Sequence, residues 1–159
     1  MIDRQSRDHY AELLRHFLAG QMTNFEYEDR FDNIAKTRNV KDPAVHEIFQ
    51  DMWFTYCDLR QHTMAGPDAI VGDNRHTVVR FILFLHSDLP YEWPTRNIKD
   101  CLLNLLTVGF YGKLKKRDPT CEKGDMNAWP FFRMDDFEQA KQNPKLMSRI
   151  ANKTPEASG

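Results

Sequence analysis

The sequence predicts an all-α fold, a compact bundle of about five to six helices. Apolar residues recur at intervals of three and four along much of the chain, which is the spacing of one face of an α-helix. Helix-start signals precede several of these stretches. In each, a capping residue is followed by proline at once or by glutamate three positions later. We therefore predict one globular helical domain over residues 1–153 and a disordered tail over 154–159. The alternative is an α+β fold with one short hairpin around residues 69–85 and 128–133.

The N-terminal part of the chain predicts a helical hairpin. Gly20 stands where the first helix should end, because glycine readily adopts the left-handed conformation of a helix C-terminus. Thr23, followed by Glu26, matches a capping box, which predicts the start of the second helix. The predicted inward-facing residues are Tyr10, Leu13, Leu14, Phe17 and Leu18 of the first helix and Tyr27, Phe31, Ile34 and Ala35 of the second.

A third helix is predicted to begin at Asp42 and Pro43, an N-cap residue followed by proline at the first helical position. We expect it to continue to residues 61–64, before the Ala-Gly-Pro-Asp break at 65–68. Cys57 falls within this pattern and is predicted to be a small core residue. The apolar positions with helical spacing are Val45, Ile48, Phe49, Met52, Trp53, Tyr56 and Leu59.

Residues 77–85 are the most hydrophobic stretch, and their β-branched and aromatic content suits either a buried strand or a buried helix. A strand needs partners, and the candidates are a very short apolar run and a run interrupted by proline. We therefore predict a buried helix, capped by Asp73 or Asn74 and ending at 87–90.

Two further helices are predicted towards the C-terminus. Asn97 is expected to cap a helix that is apolar on most of its circumference, which places that helix inside the bundle. Asp135, followed by Glu138, predicts the start of the last helix, and the Asn-Pro pair at 143–144 interrupts it. The residues of that helix predicted to face inward are Phe137 and Ala140.

The composition argues against several classes of protein. The chain has 22 basic and 23 acidic side chains, a formal charge of −1, so it lacks the overall positive charge typical of nucleic-acid-binding proteins. No apolar window approaches the length of a transmembrane helix, and the first residues are too charged for a signal peptide. Three cysteines, an odd number, fit a reducing compartment. We therefore expect a soluble cytoplasmic protein with no membrane association.

No sequence motif predicts a cofactor or a metal ion, because glycine-rich phosphate loops and Cys/His clusters are missing. Asp58 and His62, four residues apart on the predicted third helix, have the spacing of an ordinary charge-assisted pair. Glu28 and Asp32 lie one turn apart in an acidic cluster on the second helix. With a histidine they would suit a small metal-dependent hydrolase, although a solvated outer face explains them without further assumption.

A local basic run provides a second alternative function. Lys113, Lys115, Lys116 and Arg117 follow two aromatic residues and could supply a weak phosphate-binding site for a nucleic acid. Such a run at a helix C-terminus more often complements the helix dipole and faces water. We therefore do not expect nucleic acid to be the partner.

Aromatic residues beside prolines, outside the helical stripes, are the best functional lead. Large rigid aromatic side chains dominate binding hot spots, and loops stiffened by proline lose less entropy on binding. The alternative interpretation is that these residues plug the ends of the bundle. We predict a small protein-binding module, an inhibitor or immunity-type protein that shields a partner, rather than an enzyme. The candidate partner-binding residues are Tyr91, Glu92, Trp93, Trp129 and Phe132.

Overall fold

The computed structural model describes residues 1–95 and 123–143, and these residues form five α-helices. Within these two ranges there is no β-strand, and one isolated bridge joins Thr23 to Thr63. The prediction of an all-α bundle is confirmed. The helices are α1 (Arg4–Leu18), α2 (Asn24–Arg38), α3 (Pro43–Met52), α4 (Gly72–His86) and α5 (Met134–Gln142), and two short 3-10 turns are Gly66–Asp68 and Met126–Ala128.

Both sequence signals of the predicted helical hairpin, Gly20 and the capping box of Thr23 and Glu26, are confirmed. Gly20 follows α1 with φ of +69°, and its N–H donates to the Phe17 carbonyl at 2.9 Å, which closes the end of the helix. Thr23 Oγ1 accepts from the Glu26 N–H at 3.2 Å, and the Glu26 carboxylate accepts from the Thr23 N–H at 2.8 Å. The inward-facing residues predicted for both helices are buried or half-buried.

α1 lies at the centre of the described helices. It packs against α2, α3 and α4, and α4 packs in turn against α3 and α5. A single buried apolar cluster extends from Tyr10 on α1 to Ala140 on α5. Stacked rings join the elements inside it, with centroids 4.3 Å apart for Phe17 and Tyr27. The central position of α1 follows from its apolar stripe, whose residues Tyr10, Leu13, Leu14 and Phe17 are all buried.

α3 is shorter than the sequence predicts. It ends at Met52 instead of continuing to 61–64. The following residues have low helix propensity, and local hydrogen bonds replace the helical ones. Thr55 Oγ1 and the Thr55 N–H both donate to the Met52 carbonyl, at 2.6 and 2.9 Å, and the Phe54 N–H donates to the Asp51 carbonyl at 3.1 Å. Residues 53–65 are therefore an irregular connection.

The early end of α3 overturns three predictions that depended on its length. Cys57 and Leu59 are exposed rather than buried in the core. Asp58 and His62 do not lie on a helix, so the predicted i, i+4 pair is wrong. Instead, His62 Nδ1 lies 2.8 Å from the Arg60 carbonyl oxygen.

Residues 77–85 lie within α4, so the predicted buried helix is confirmed. The alternative hairpin around 69–85 and 128–133 is wrong. Residues 128–133 form turns rather than a strand, and Pro130 among them has no N–H to donate to a ladder. With no partner strand available, backbone hydrogen bonds within the segment satisfy its buried polar groups.

The predicted caps of α4 are wrong, whereas its predicted end is confirmed. The helix begins at Gly72, before Asp73 and Asn74, and no side chain caps it. Gly72 adopts φ of +58°, so the chain turns at the glycine and Asp73 falls inside the first turn. At the other end, Ser87 Oγ donates to the Phe84 carbonyl at 2.7 Å.

α5 also begins slightly earlier than predicted. Arg133 occupies the capping position without a side-chain hydrogen bond, so the predicted cap at Asp135 is wrong. Asp135 lies in the first turn, where a carboxylate complements the positive end of the helix dipole. The helix ends before Asn143, as predicted from the proline that follows. Ala140 is buried and Phe137 half-buried, as expected.

Several predictions fall outside the described residues. They are the helix from Asn97, the basic run at 113–117 and the tail over 154–159, and the two other cysteines, Cys101 and Cys121, lie outside these residues too. In the described part of the chain, no helix has both the length and the apolar character needed to cross a membrane.

Candidate protein-interaction site

The structure brings the sequence-predicted aromatic residues together at one end of the bundle. Trp93 Nε1 donates to the Phe131 carbonyl at 3.1 Å, and Trp129 Nε1 donates to Tyr91 Oη at 3.4 Å. The Trp93 and Phe132 rings meet edge to face with centroids 5.1 Å apart. The segment after α4 and the segment before α5 are therefore joined through four of the five predicted partner-binding residues, Tyr91, Trp93, Trp129 and Phe132. Glu92, the fifth, is exposed beside them in the chain.

Most of this aromatic area faces the core. Trp93 is 6% exposed and Trp129 is 9% exposed, whereas Tyr91 and Phe132 are half-buried and Glu92 is exposed. The two indoles therefore plug the end of the bundle, as the alternative interpretation of the sequence holds. Partner binding through the accessible parts of Tyr91, Glu92 and Phe132 stays a prediction.

Gly124 shows how closely this end of the bundle is packed. A Cβ atom added to it would lie 2.4 Å from Trp93 Cη2 and 2.8 Å from Phe132 Cε2. Both distances are below van der Waals contact, so the backbone of residue 124 approaches the two rings in a way that only glycine permits.

A second surface, which sequence reasoning missed, is exposed on the connection after α3. Trp53 is 52% exposed, Phe54 81% and Leu59 90%. We call these three side chains the 53–59 surface. Phe25, at the start of α2, is also exposed. Single exposed apolar residues are ordinary, but a concentration of large ones is typical of interaction sites.

The side chain of Asn24 holds this connection in place. Its Nδ2 donates to the carbonyls of Cys57 at 3.2 Å and Arg60 at 3.0 Å, and its Oδ1 accepts from the His62 N–H at 3.0 Å. The Asn24 N–H donates in turn to the His62 carbonyl at 3.0 Å. Asn24 is fully buried, so the connection is fixed to the start of α2 by hydrogen bonds that water does not readily replace.

Ring contacts anchor the same connection from the core side. The Tyr56 ring meets Phe17 edge to face at 5.2 Å, and its hydroxyl donates to Glu28 Oε1 at 3.0 Å. Burial, followed by the neighbouring Tyr27 and Glu28, raises the pKa of Tyr56 well above its usual value. Trp53 lies against Phe49 with ring centroids 6.1 Å apart. The 53–59 surface is thus the outer side of an anchored segment.

The sequence contains a signal that could have indicated this surface. Trp53, Phe54, Thr55 and Tyr56 are consecutive aromatic and β-branched residues, all weak helix formers. The apolar spacing of Trp53, Tyr56 and Leu59 concealed that signal by extending the pattern of the third helix. Only Tyr56 of the three turns its side chain into the protein.

The acidic residues proposed for the alternative hydrolase make separate contacts. Glu28 accepts from Tyr56, while Asp32 pairs with Lys36 at 3.0 Å. Glu26 belongs to the capping box, where hydrogen bonds from the Thr23 backbone and hydroxyl lower its pKa. Among the described residues, no group of three or more His, Cys, Asp or Glu side chains is arranged to hold a metal ion.

Comparisons with known proteins find no match to a protein-family model, a curated protein or a solved structure.

Proposed function

We propose that this chain is a protein-binding module that shields or inhibits a partner protein, and that it contacts the partner through the 53–59 surface. The exposure of Trp53, Phe54 and Leu59 carries the proposal. Rigid aromatic side chains supply a large contact area at little cost in conformational entropy, which is why tryptophan is enriched in binding hot spots. Because Asn24 already holds the segment, little further ordering is needed on binding.

The distribution of the other exposed apolar side chains supports this choice of surface. The remaining large ones among the described residues are dispersed along the chain: Met1, Ile2, Phe25, Val71, Val79 and Met126. Phe25 follows Asn24, the residue that binds the connection directly. The dispersed residues match the background of ordinary monomer surfaces, whereas Trp53, Phe54 and Leu59 fall within one seven-residue segment.

The proposal includes a cytoplasmic location. Cys57 is an exposed free thiol next to the proposed contact surface. An exposed thiol persists most readily in a reducing compartment, where it is not drawn into disulfides. The odd number of cysteines in the sequence supports the same location.

Site-specific photo-cross-linking in the native cell tests the contact surface. A benzophenone amino acid is placed at position 53, 54 or 59, and as matched controls at the exposed positions 71 and 126. We expect one discrete adduct with the same protein from the first three positions and none from the controls. Binding measured between the two purified proteins should then weaken about a hundredfold when Trp53 and Leu59 are both replaced by serine, since two central apolar residues are lost.

A third group of cross-linker positions, 91 and 132, separates this surface from the sequence-predicted one. Adducts at those positions and none at 53, 54 or 59 would place the interface at the aromatic end of the bundle. Identical adducts at all positions, including the controls, would contradict a defined interface.

A further inference from the structure

The two segments that meet at the 53–59 surface carry an excess of negative charge, which the rest of the chain offsets. Residues 24–32 and 51–60 together contain six carboxylates and two arginines, a net charge of −4, while the whole chain has a net charge of −1. The rest of the chain is therefore slightly positive. The carboxylates are Glu26, Glu28, Asp29, Asp32, Asp51 and Asp58.

These two segments lie side by side in the structure. Asn24 joins the start of α2 to the carbonyls of Cys57 and Arg60, and Tyr56 reaches Glu28 further along α2. Of the exposed acidic residues, Glu26 belongs to the capping box and Asp32 pairs with Lys36, while Asp29 and Asp58 lie one on each segment. The apolar side chains thus have carboxylates on both neighbouring segments, an arrangement that matches the apolar centre and polar rim of a protein interface.

We infer that the partner of the 53–59 surface is a basic protein, whose apolar contact residues are flanked by Lys or Arg side chains that meet the carboxylates of residues 24–32 and 51–60. This inference rests on the proposed function and adds the chemistry of the partner. Opposite charges around an interface accelerate association and exclude partners of the wrong charge.

The same charge argues against a second copy of this chain as the occupant. A twofold interface places the same surface of each copy against the other. The two acidic rims would then face one another, and like charges in contact oppose association. A different protein with a basic surface avoids that repulsion.

Selection from a displayed library of random peptides tests the charge and the surface separately, with the full chain as target. We expect the enriched peptides to combine large apolar residues with a net positive charge. Their dissociation constants should rise about tenfold between about 50 and 500 mM salt, because salt screens exposed charges. The variant Asp29→Lys with Asp58→Lys should bind them about tenfold more weakly at low salt. The control variant, Asp73→Lys with Asp135→Lys, makes the same change in net charge at two exposed residues outside these segments and should bind as the wild type does.

Each remaining outcome has a defined meaning. Enriched peptides without excess positive charge, or equal weakening by both lysine variants, would overturn the inference while leaving the apolar surface in place. Peptides that bind Trp53→Ser with Leu59→Ser as tightly as the wild type, or a selection that enriches nothing, would overturn the proposed function as well. Sedimentation showing a wild-type dimer that Trp53→Ser abolishes would make a second copy the occupant and also overturn the inference.

Discussion

Arg7 and Asp42 form a buried, bidentate ion pair that ties α1 to the start of α3. Arg7 Nε lies 2.7 Å from Asp42 Oδ2, and Nη2 lies 3.2 Å from Oδ1. Arg7 Nη1 also donates to the carbonyls of Ser87 and Leu89, just beyond α4, at 3.3 and 2.7 Å. Asp42 in turn accepts from the Ala44 N–H at 3.1 Å, which caps α3. One pair of side chains thus joins three helices.

Removing one member of this pair should be costly. We expect Asp42→Ala to lower the free energy of unfolding by about 3–5 kcal/mol, because it leaves a guanidinium buried without its counter-ion. Urea denaturation followed by circular dichroism measures the change. The exposed pair of Asp32 and Lys36 is the control, and Asp32→Ala should cost less than about 1 kcal/mol. Equal losses in the two variants would show that burial does not determine how much the Arg7–Asp42 pair contributes to the free energy of unfolding.

The Asn24 side chain should keep the connection after α3 ordered. We expect Asn24→Ala to lower the free energy of unfolding by about 1–3 kcal/mol, since the buried His62 N–H loses its acceptor. Hydrogen exchange at the His62 amide should accelerate more than exchange in α1. Asn33→Ala, at an exposed position of the same helix, provides the control and should alter neither quantity. Unchanged exchange at His62 in Asn24→Ala would mean that other contacts hold the connection.

Tyr10 and Tyr27 predict a loss of stability at high pH. Their hydroxyl oxygens lie 2.7 Å apart and both residues are fully buried, and burial raises the pKa of each well above its usual value. Below about pH 10 both tyrosines are protonated in the folded and unfolded states alike. At higher pH the unfolded chain loses these protons and the folded chain keeps them, so the free energy of unfolding falls as pH rises, by about 1.4 kcal/mol per pH unit for each tyrosine.

Urea denaturation at pH values on either side of the tyrosine pKa tests this dependence. Tyr10→Phe with Tyr27→Phe should make the alkaline slope shallower by about 2.8 kcal/mol per pH unit relative to the wild type. The comparison of slopes cancels the contribution of the lysines, which both proteins share. A slope identical to that of the wild type would indicate that the two hydroxyls ionise in the folded protein as they do in water.

Gly124→Ala should destabilise the aromatic end of the bundle. The added methyl would overlap the Trp93 and Phe132 rings, and overpacking of this kind costs about 1–3 kcal/mol. Thermal denaturation, combined with the near-ultraviolet circular dichroism of the indoles, measures the effect. Lys123→Ala at the neighbouring exposed position is the control. If Gly124→Ala is as stable as the wild type, the rings at this end have room to move apart.

The local features of the fold could be predicted from the sequence because neighbouring residues produce them. The turn at Gly20, the capping box of Thr23 and Glu26, and the start of α3 after Asp42 each depend on contacts within a few positions. The helical assignment of residues 77–85 followed instead from the lack of a suitable partner strand. These features hold in the structure.

The candidate site could not be predicted in the same way. Trp53 and Leu59 continue the apolar spacing of α3, and Trp93 and Trp129 stand beside prolines like exposed loop anchors. The structure exposes the first pair and buries the second. The helical spacing and the neighbouring prolines predict the opposite exposure for both pairs. Burial depends instead on which distant segment covers a side chain.

The sequence by itself determined that the described chain is helical and where α2 and α3 begin, since periodicity and capping act over one or two turns. Only the tertiary structure decided where α3 stops and which aromatic residues meet solvent. The physical reason lies in long-range contacts: Asn24 holds residues 57–62 against α2, and the Phe131 carbonyl accepts from the indole N–H of Trp93. Such contacts join residues more than thirty positions apart, beyond the reach of any helical repeat.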